Sequence, residues 1–187
     1  MGAYKVVGHA GQMCHTEASY RAFCFMDGVH FVKTHDMPPR DAFASAIHIV
    51  RDPRAVMWSY AHYRRDVDGC TDDFDDILTR LITRSRFGGW SMHTRAWMEY
   101  AGDQAMVKFE DLVDGPQLFV GKALKQLGVD YDVVGSLPSF DDLHAKWPKF
   151  FRKGKVAGWK DGMPQWAQDL IIRKHGDTMK RLGYATV

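Results

Sequence analysis

Four stretches carry side chains whose types and spacing could do chemistry. In VRDPRAVMWSY, residues 50–60, an apolar run leads straight into Arg51, Asp52 and Pro53 and then into an aromatic helical pattern. Asp52 can cap that helix, and Pro53 suits its first position, where a missing N–H is no loss. A helix N-terminus presents unpaired N–H groups with partial positive charge, and Arg51 adds a forked, permanently charged donor, so the turn suits an anion such as a phosphate. The residues alone equally allow Arg51 to pair with a nearby carboxylate and Asp52 to be only a cap. VKTHDMPP at 32–39 sets Lys33, Thr34 and His35 at the end of a second apolar run, and VKFEDL at 107–112 ends a third. FFRKGKVAGW at 150–159 gathers Arg152 and Lys153 beside Gly154. A strand-end lysine and histidine, or a solvated basic loop, is also an ordinary surface feature.

The elements that must position these residues alternate in type. GVHFV before Lys33, AIHIV before Arg51 and AMVKF before Glu110 read as short strands, the last two leading into helical patterns, which implies an α/β fold. TDDFDDILTRLITR reads as a helix capped by Thr71, with carboxylates in its first turn and Arg80 and Arg84 near its end, complementing the helix dipole. The acid cluster Asp72, Asp73, Asp75 and Asp76 lacks the glycine and terminal Glu of a calcium loop, so the dipole reading is preferred. SMHTRAWMEYAG and PQLFVGKALKQLGV are amphipathic helices whose Met, Trp and Leu positions read as core, the second stopped by Gly128. LPSFDDLHAKWPKFFRKGKVAGWKDGMP reads as one long ordered loop, and QWAQDLIIRKHGDTMKRLGY as a terminal helix.

Bulk composition narrows the function classes. A chain of 187 residues, 45% hydrophobic, can bury a real core and is expected to form one domain over residues 1–187. Its 25 basic and 23 acidic residues nearly balance, which argues against a long nucleic-acid groove and leaves room for a focused basic site. Cys14, Cys24 and Cys70 are odd in number and lack metal or redox spacing, which points to free thiols in a reducing compartment, the cytoplasm by default. No apolar stretch approaches a membrane span, and His9, Cys14 and His15 match no familiar zinc pattern.

Taken together and in order, the four stretches resemble the sulfotransferase family, over roughly residues 30 to 184. FGGWSMHTRAW at 87–97 resembles that family's Gly-x-Trp-x-x-His-x-x-x-Trp segment. The resemblance implies a P-loop-NTPase-like parallel sheet flanked by helices. It implies transfer of a sulfuryl group from 3′-phosphoadenosine 5′-phosphosulfate (PAPS) to an acceptor hydroxyl or amine on a small molecule, glycan or lipid, releasing 3′-phosphoadenosine 5′-phosphate (PAP), with no metal. By the same resemblance His35 is the general base and Lys33 the cation against the sulfonate oxygens, with Thr34 beside them. Arg51 and Ser59, together with Arg152, Lys153 and Gly154, hold the 3′-phosphate. Phe109 stands near the adenine, where the family commonly has Tyr.

Two departures bear on function. Ala157 and Gly158 replace the usual Gly-Asp before Trp159 and Lys160. Nothing before Lys33 supplies the Pro-Lys-x-Gly-Thr-Thr-Trp loop that holds the 5′-phosphosulfate, and VVGHAGQMCHTEAS is at best a degenerate cradle. The expectation is therefore an active enzyme whose donor loop is rewritten in residues 4–17 or lies on an upstream part absent from this chain. The alternative is a catalytically inactive nucleotide-binding or interaction module that keeps the 3′-phosphate site. A nucleotide kinase is disfavoured, since it needs the same missing loop.

Overall fold

The computed structural model describes residues 31–41, 44–84, 89–132, 135–136, 138–149, 151 and 155–186. Two parallel strands, β1 (Ala46–Val50) and β2 (Gln104–Lys108), pair in register from Ala46 opposite Gln104 to Val50 opposite Lys108. Three helices cross between them: α1 (Pro53–Asp66), α2 (Phe74–Thr83) and α3 (Trp90–Met98). Parallel strands need such a crossover, because a tight turn would reverse the chain. After β2 come α4 (Phe109–Asp114), α5 (Pro116–Gln126), α6 (Phe140–Lys146), a 3₁₀ turn at Gly158–Asp161 and α7 (Gln165–Arg181). This is the expected α/β fold, a parallel sheet flanked by helices.

The larger core joins α1, α2 and α7 through Met57, Ile77, Leu78, Ile171 and Met179, closed by Trp159 of the 3₁₀ turn. A smaller one packs Ala105 and Val107 of β2 against Ala123 of α5, with Ile47 and Phe119 at its margin. Helix α5 ends as its sequence predicts, with Gly128 in the left-handed region at φ 66° and its N–H donating to the Lys125 carbonyl. Among the described residues no helix is long and apolar enough to cross a membrane.

Three expectations need correction. Helix α2 starts at Phe74 and is capped by Asp73, whose Oδ1 accepts from the Asp75 and Asp76 amides, rather than by Thr71. Asp72 pairs instead with Arg80, so the acid cluster divides between a cap, the first-turn dipole and an ion pair. The segment read as one long loop contains α6, opened by a reciprocal cap between Ser139 and Asp142, and the 3₁₀ turn. The Ser-x-x-Asp spacing carried that signal, and the surrounding Lys, Gly and Pro masked it. Of the run at 28–32, Phe31 and Val32 are not in a strand and the remainder lies outside the described residues.

Two histidines are buried in this frame. His48 on β1 stacks on Trp97 and meets His93 edge-on, while His175 on α7 shares a hydrogen bond of 2.8 Å with the Ser91 hydroxyl. Burial pushes both imidazoles down from 6.5 to about 4, aided by His93 for His48, and by Lys174 and Arg95 for His175. The unfolded chain therefore binds more protons than the folded one between pH 6.5 and 4, and stability falls as pH drops through that window. Urea unfolding should show a loss of roughly 1–3 kcal/mol between pH 7.5 and 5, reduced in His48→Leu; an undiminished loss in that variant contradicts the assignment.

Candidate functional site

The turn from β1 to α1 partitions its charges in a way the sequence left open. Asp52 caps α1 by accepting from the Arg54 amide at 2.8 Å, and the same carboxylate receives the Arg54 guanidinium at 2.7 and 3.0 Å. Both residues are buried, and Arg54 lies 4.1 Å above the ring of Trp159. The carboxylate that could have neutralised Arg51 is thus taken by Arg54. Arg51 sits 4.2 Å over the Phe109 ring, and its Nε is buried without a hydrogen-bond partner among the described residues. Burial lowers the Arg51 pKa, and Glu110, Asp52 and Tyr184 act in the opposite direction. A buried guanidinium N–H left open beside a helix N-terminus is chemically suited to an oxyanion.

Helix α3 holds this turn together with the Lys33–Asp36 segment. Trp90, His93 and Trp97 recur at spacings of three and four and so share one face. The Trp90 indole N–H donates to the Arg51 carbonyl at 3.0 Å. His93 Nε2 and the Trp97 indole N–H both donate to the Asp36 carbonyl, at 3.0 and 3.1 Å. Three ring donors thus fix two stretches of backbone along a helix roughly 13 Å long. Within the second stretch, the Thr34 hydroxyl donates to the Asp36 carboxylate and accepts from the Asp36 amide, closing a turn that leaves Lys33 and His35 exposed. Burial, Lys33 and His93 lower the His35 pKa below 6.5, against an opposing pull from Asp36. An accessible imidazole of this kind is neutral at pH 7 and able to take a proton.

The end of β2 and the last described residues complete the frame. Glu110, on α4, accepts the Asp52 backbone N–H at 3.1 Å through one oxygen and the Tyr184 hydroxyl at 3.0 Å through the other. Burial and the Glu110 carboxylate hold the Tyr184 phenol protonated well above its ordinary range. Trp159 brings the Ala157-Gly158 segment beside α1, so the departure from Gly-Asp is absorbed in the 3₁₀ turn.

The structure therefore ties to α3 both Arg51, with the Phe109 ring against it, and the Asp36 carbonyl that follows Lys33, Thr34 and His35. Ser59 lies nearly two turns into α1 with its side chain exposed. Arg152, Lys153 and Gly154, and the stretch 4–17 considered as a donor loop, lie outside the described residues. Sequence reasoning missed Arg54, Tyr184 and what Trp90, His93 and Trp97 do for the turns. Arg54 was signalled by its place two residues after a capping Asp, whereas Tyr184 carried no local signal. Trp90, His93 and Trp97 were legible as a family segment and as apolar positions, without indication that their ring N–H groups tie down distant carbonyls.

Comparison with known proteins agrees with this architecture. The family described as the sulfotransferase domain matches residues 15–183. Mouse sulfotransferase SULT7A1 complexed with PAP superimposes with a TM-score of 0.69 at 18% identity, covering 89% of this chain and 74% of that one. Retinol dehydratase in complex with androsterone and inactive cofactor PAP superimposes with a TM-score of 0.55 at 16% identity, covering 72% of this chain and 47% of that one. At these identities the likeness is one of fold. No curated protein matches the sequence significantly.

If Glu110 ties β1 to the chain end, Glu110→Ala should lower unfolding free energy by about 1–3 kcal/mol, because it leaves the Asp52 amide without its acceptor. Asp111→Ala should stay within about 0.5 kcal/mol. Urea denaturation compares the two, and equal losses would remove Glu110 from this role.

Proposed function

Because the chain belongs to the sulfotransferase domain family, we propose that it moves a sulfuryl group from PAPS to an acceptor hydroxyl or amine. The observation that carries this reading is the shared face of α3, whose Trp90, His93 and Trp97 hold the Arg51 turn and the Lys33–His35 turn in one rigid unit. Transfer needs an anion grip and a proton acceptor at a fixed separation, and such a unit supplies both. The open, buried Nε of Arg51 fits a phosphate oxygen, and the two comparison structures were obtained with PAP.

In this reading Arg51 and Ser59 grip the 3′-phosphate, with Arg152 and Lys153 adding charge and Gly154 allowing close backbone approach. Phe109 packs against the purine while supporting the Arg51 guanidinium from beneath. Thr34 keeps Lys33 and His35 in the turn that points them at the donor side, its hydroxyl proton going to Asp36. PAPS supplies an activated sulfuryl group whose bond to the 5′-phosphate breaks as the acceptor bond to sulfur forms. His35 takes the proton the acceptor loses, and Lys33 offsets the negative charge that builds toward the leaving phosphate. Small alcohols, phenols, glycans and lipids all meet the requirement for an ionisable nucleophile.

Calorimetric titration of the 187-residue chain with PAP, against adenosine 5′-phosphate as control, tests the nucleotide site. Arg51→Ala should weaken PAP about 10–100-fold, the loss of a charge-assisted hydrogen bond, and leave the control nearly unchanged; equal losses would contradict the phosphate contact. His35→Ala should cut transfer about 10²–10⁴-fold with PAP affinity intact, and unaltered turnover would rule out the base. Since the neutral imidazole is the base, turnover should fall only as pH drops below 6.5, through the depressed His35 value. PAP binding without transfer to any acceptor class would indicate the inactive binding module.

A further inference from the structure

On the other side of Trp90 lies a second feature that the transfer reaction does not use. A cleft of about 360 Å³ opens between the end of α2, the start of α3 and α7. Arg84, Arg95 and Lys174 line it, and among the described residues no carboxylate does. None of the three forms an ion pair among the described residues; Arg95 donates to the Ser91 carbonyl and Lys174 to the Thr83 carbonyl. Gathering three cations without a counter-ion costs repulsion, which a bound anion removes.

Two further observations point to a ligand. The N-terminus of α3 opens at this cleft through Gly89, and no side chain caps it, so its amide dipole faces the same space as the cations. His175 also lines the cleft and is 7% exposed; its Nδ1 is engaged by Ser91 and its Nε2 has no partner. The Ser91–His175 bond can run in either sense; in the tautomer in which the Ser91 hydroxyl donates to Nδ1, the ring proton sits on Nε2 as an unmatched donor. Burial, Lys174 and Arg95 hold this imidazole neutral, and an anion between the two cations would offset their share of that shift.

We propose that this cleft is a second anion site, separate from Arg51, that takes the phosphate group of a small molecule between Arg84, Arg95, Lys174 and His175. Trp90 divides the two sites: its indole N–H holds the Arg51 carbonyl while its ring meets His175 edge-on, with centroids 5.8 Å apart. The exposed Met92 side chain at the rim offers an apolar surface to whatever carries the phosphate.

The test is a titration of the full chain with inorganic phosphate and, in parallel, phenyl phosphate at pH 7.5, with ionic strength held constant by chloride. The readout is the ¹⁵N and ¹³C resonances of the His175 ring. The expected result is a saturable shift with a dissociation constant of about 5 mM or tighter, weakened at least about tenfold in Arg95→Gln/Lys174→Gln. Circular dichroism establishes that this double variant is folded, and Lys174→Gln alone, at an exposed position, serves should it not be. Arg51→Ala should leave the titration unchanged, which separates this site from the nucleotide site whatever becomes of that reading. Tighter binding of phenyl phosphate assigns the cleft to an organic ester lying on Met92, and equal binding assigns it to the free ion. A linear response without saturation, saturation indifferent to Arg95 and Lys174, or loss in Arg51→Ala would overturn the proposal.

Discussion

The rest of the structure depends on three ring N–H groups on one helix. Two backbone segments that carry charged side chains have no secondary structure of their own to hold them: Lys33–Asp36 is an isolated turn, and Arg51–Asp52 is the break between strand and helix. The carbonyls of Asp36 and Arg51 are tied instead to Trp97, His93 and Trp90. Indole is a donor without acceptor capacity, so each such bond has one sense and cannot be exchanged for a competing one. The burial of Trp97 and Trp90 against His48 and Tyr184 makes the donors stationary, and the carbonyls inherit that rigidity.

Charge is distributed around this scaffold so that one arginine is spent on structure and another is not. Asp52 caps the helix through Oδ1 and receives the Arg54 guanidinium through both oxygens. Glu110 is divided between an amide and a phenol, both neutral, so that its negative charge reaches Arg51 without forming an ion pair. These charges oppose the desolvation that lowers the Arg51 pKa, and the guanidinium retains an unmatched donor. The Phe109 ring, 4.2 Å from the guanidinium carbon, adds cation–π attraction to the Arg51 charge.

How much of this was legible in the sequence follows from the range of each interaction. Strands at 46–50 and 104–108, the Asp52 cap, Pro53 at the helix start and the Gly128 stop are local, and periodicity with capping chemistry located them. The cap of α2 was misplaced by two residues because Thr71 and Asp73 are both competent, and only the hydrogen bonds choose between them. Helix α6 was hidden for a related reason, its seven residues being too few for a periodic pattern to stand out from basic flanks. The site motifs were recognisable as a family pattern, yet their physical office was not. Nothing in the spacing of Trp90 and Trp97 says that their nitrogens seek carbonyls 39 and 61 residues away.

That separation has a kinetic consequence. The two strands join residues roughly sixty positions apart, Tyr184 reaches Glu110 across 74 positions, and Ser91 reaches His175 across 84. Each closure must meet its loop entropy before any contact rewards it, and the core that joins α1 and α2 to α7 spans longer separations still. The arrangement around Arg51 is for that reason a property of the nearly complete chain, and no short peptide cut from it, however faithfully it kept the motifs, would hold the same geometry.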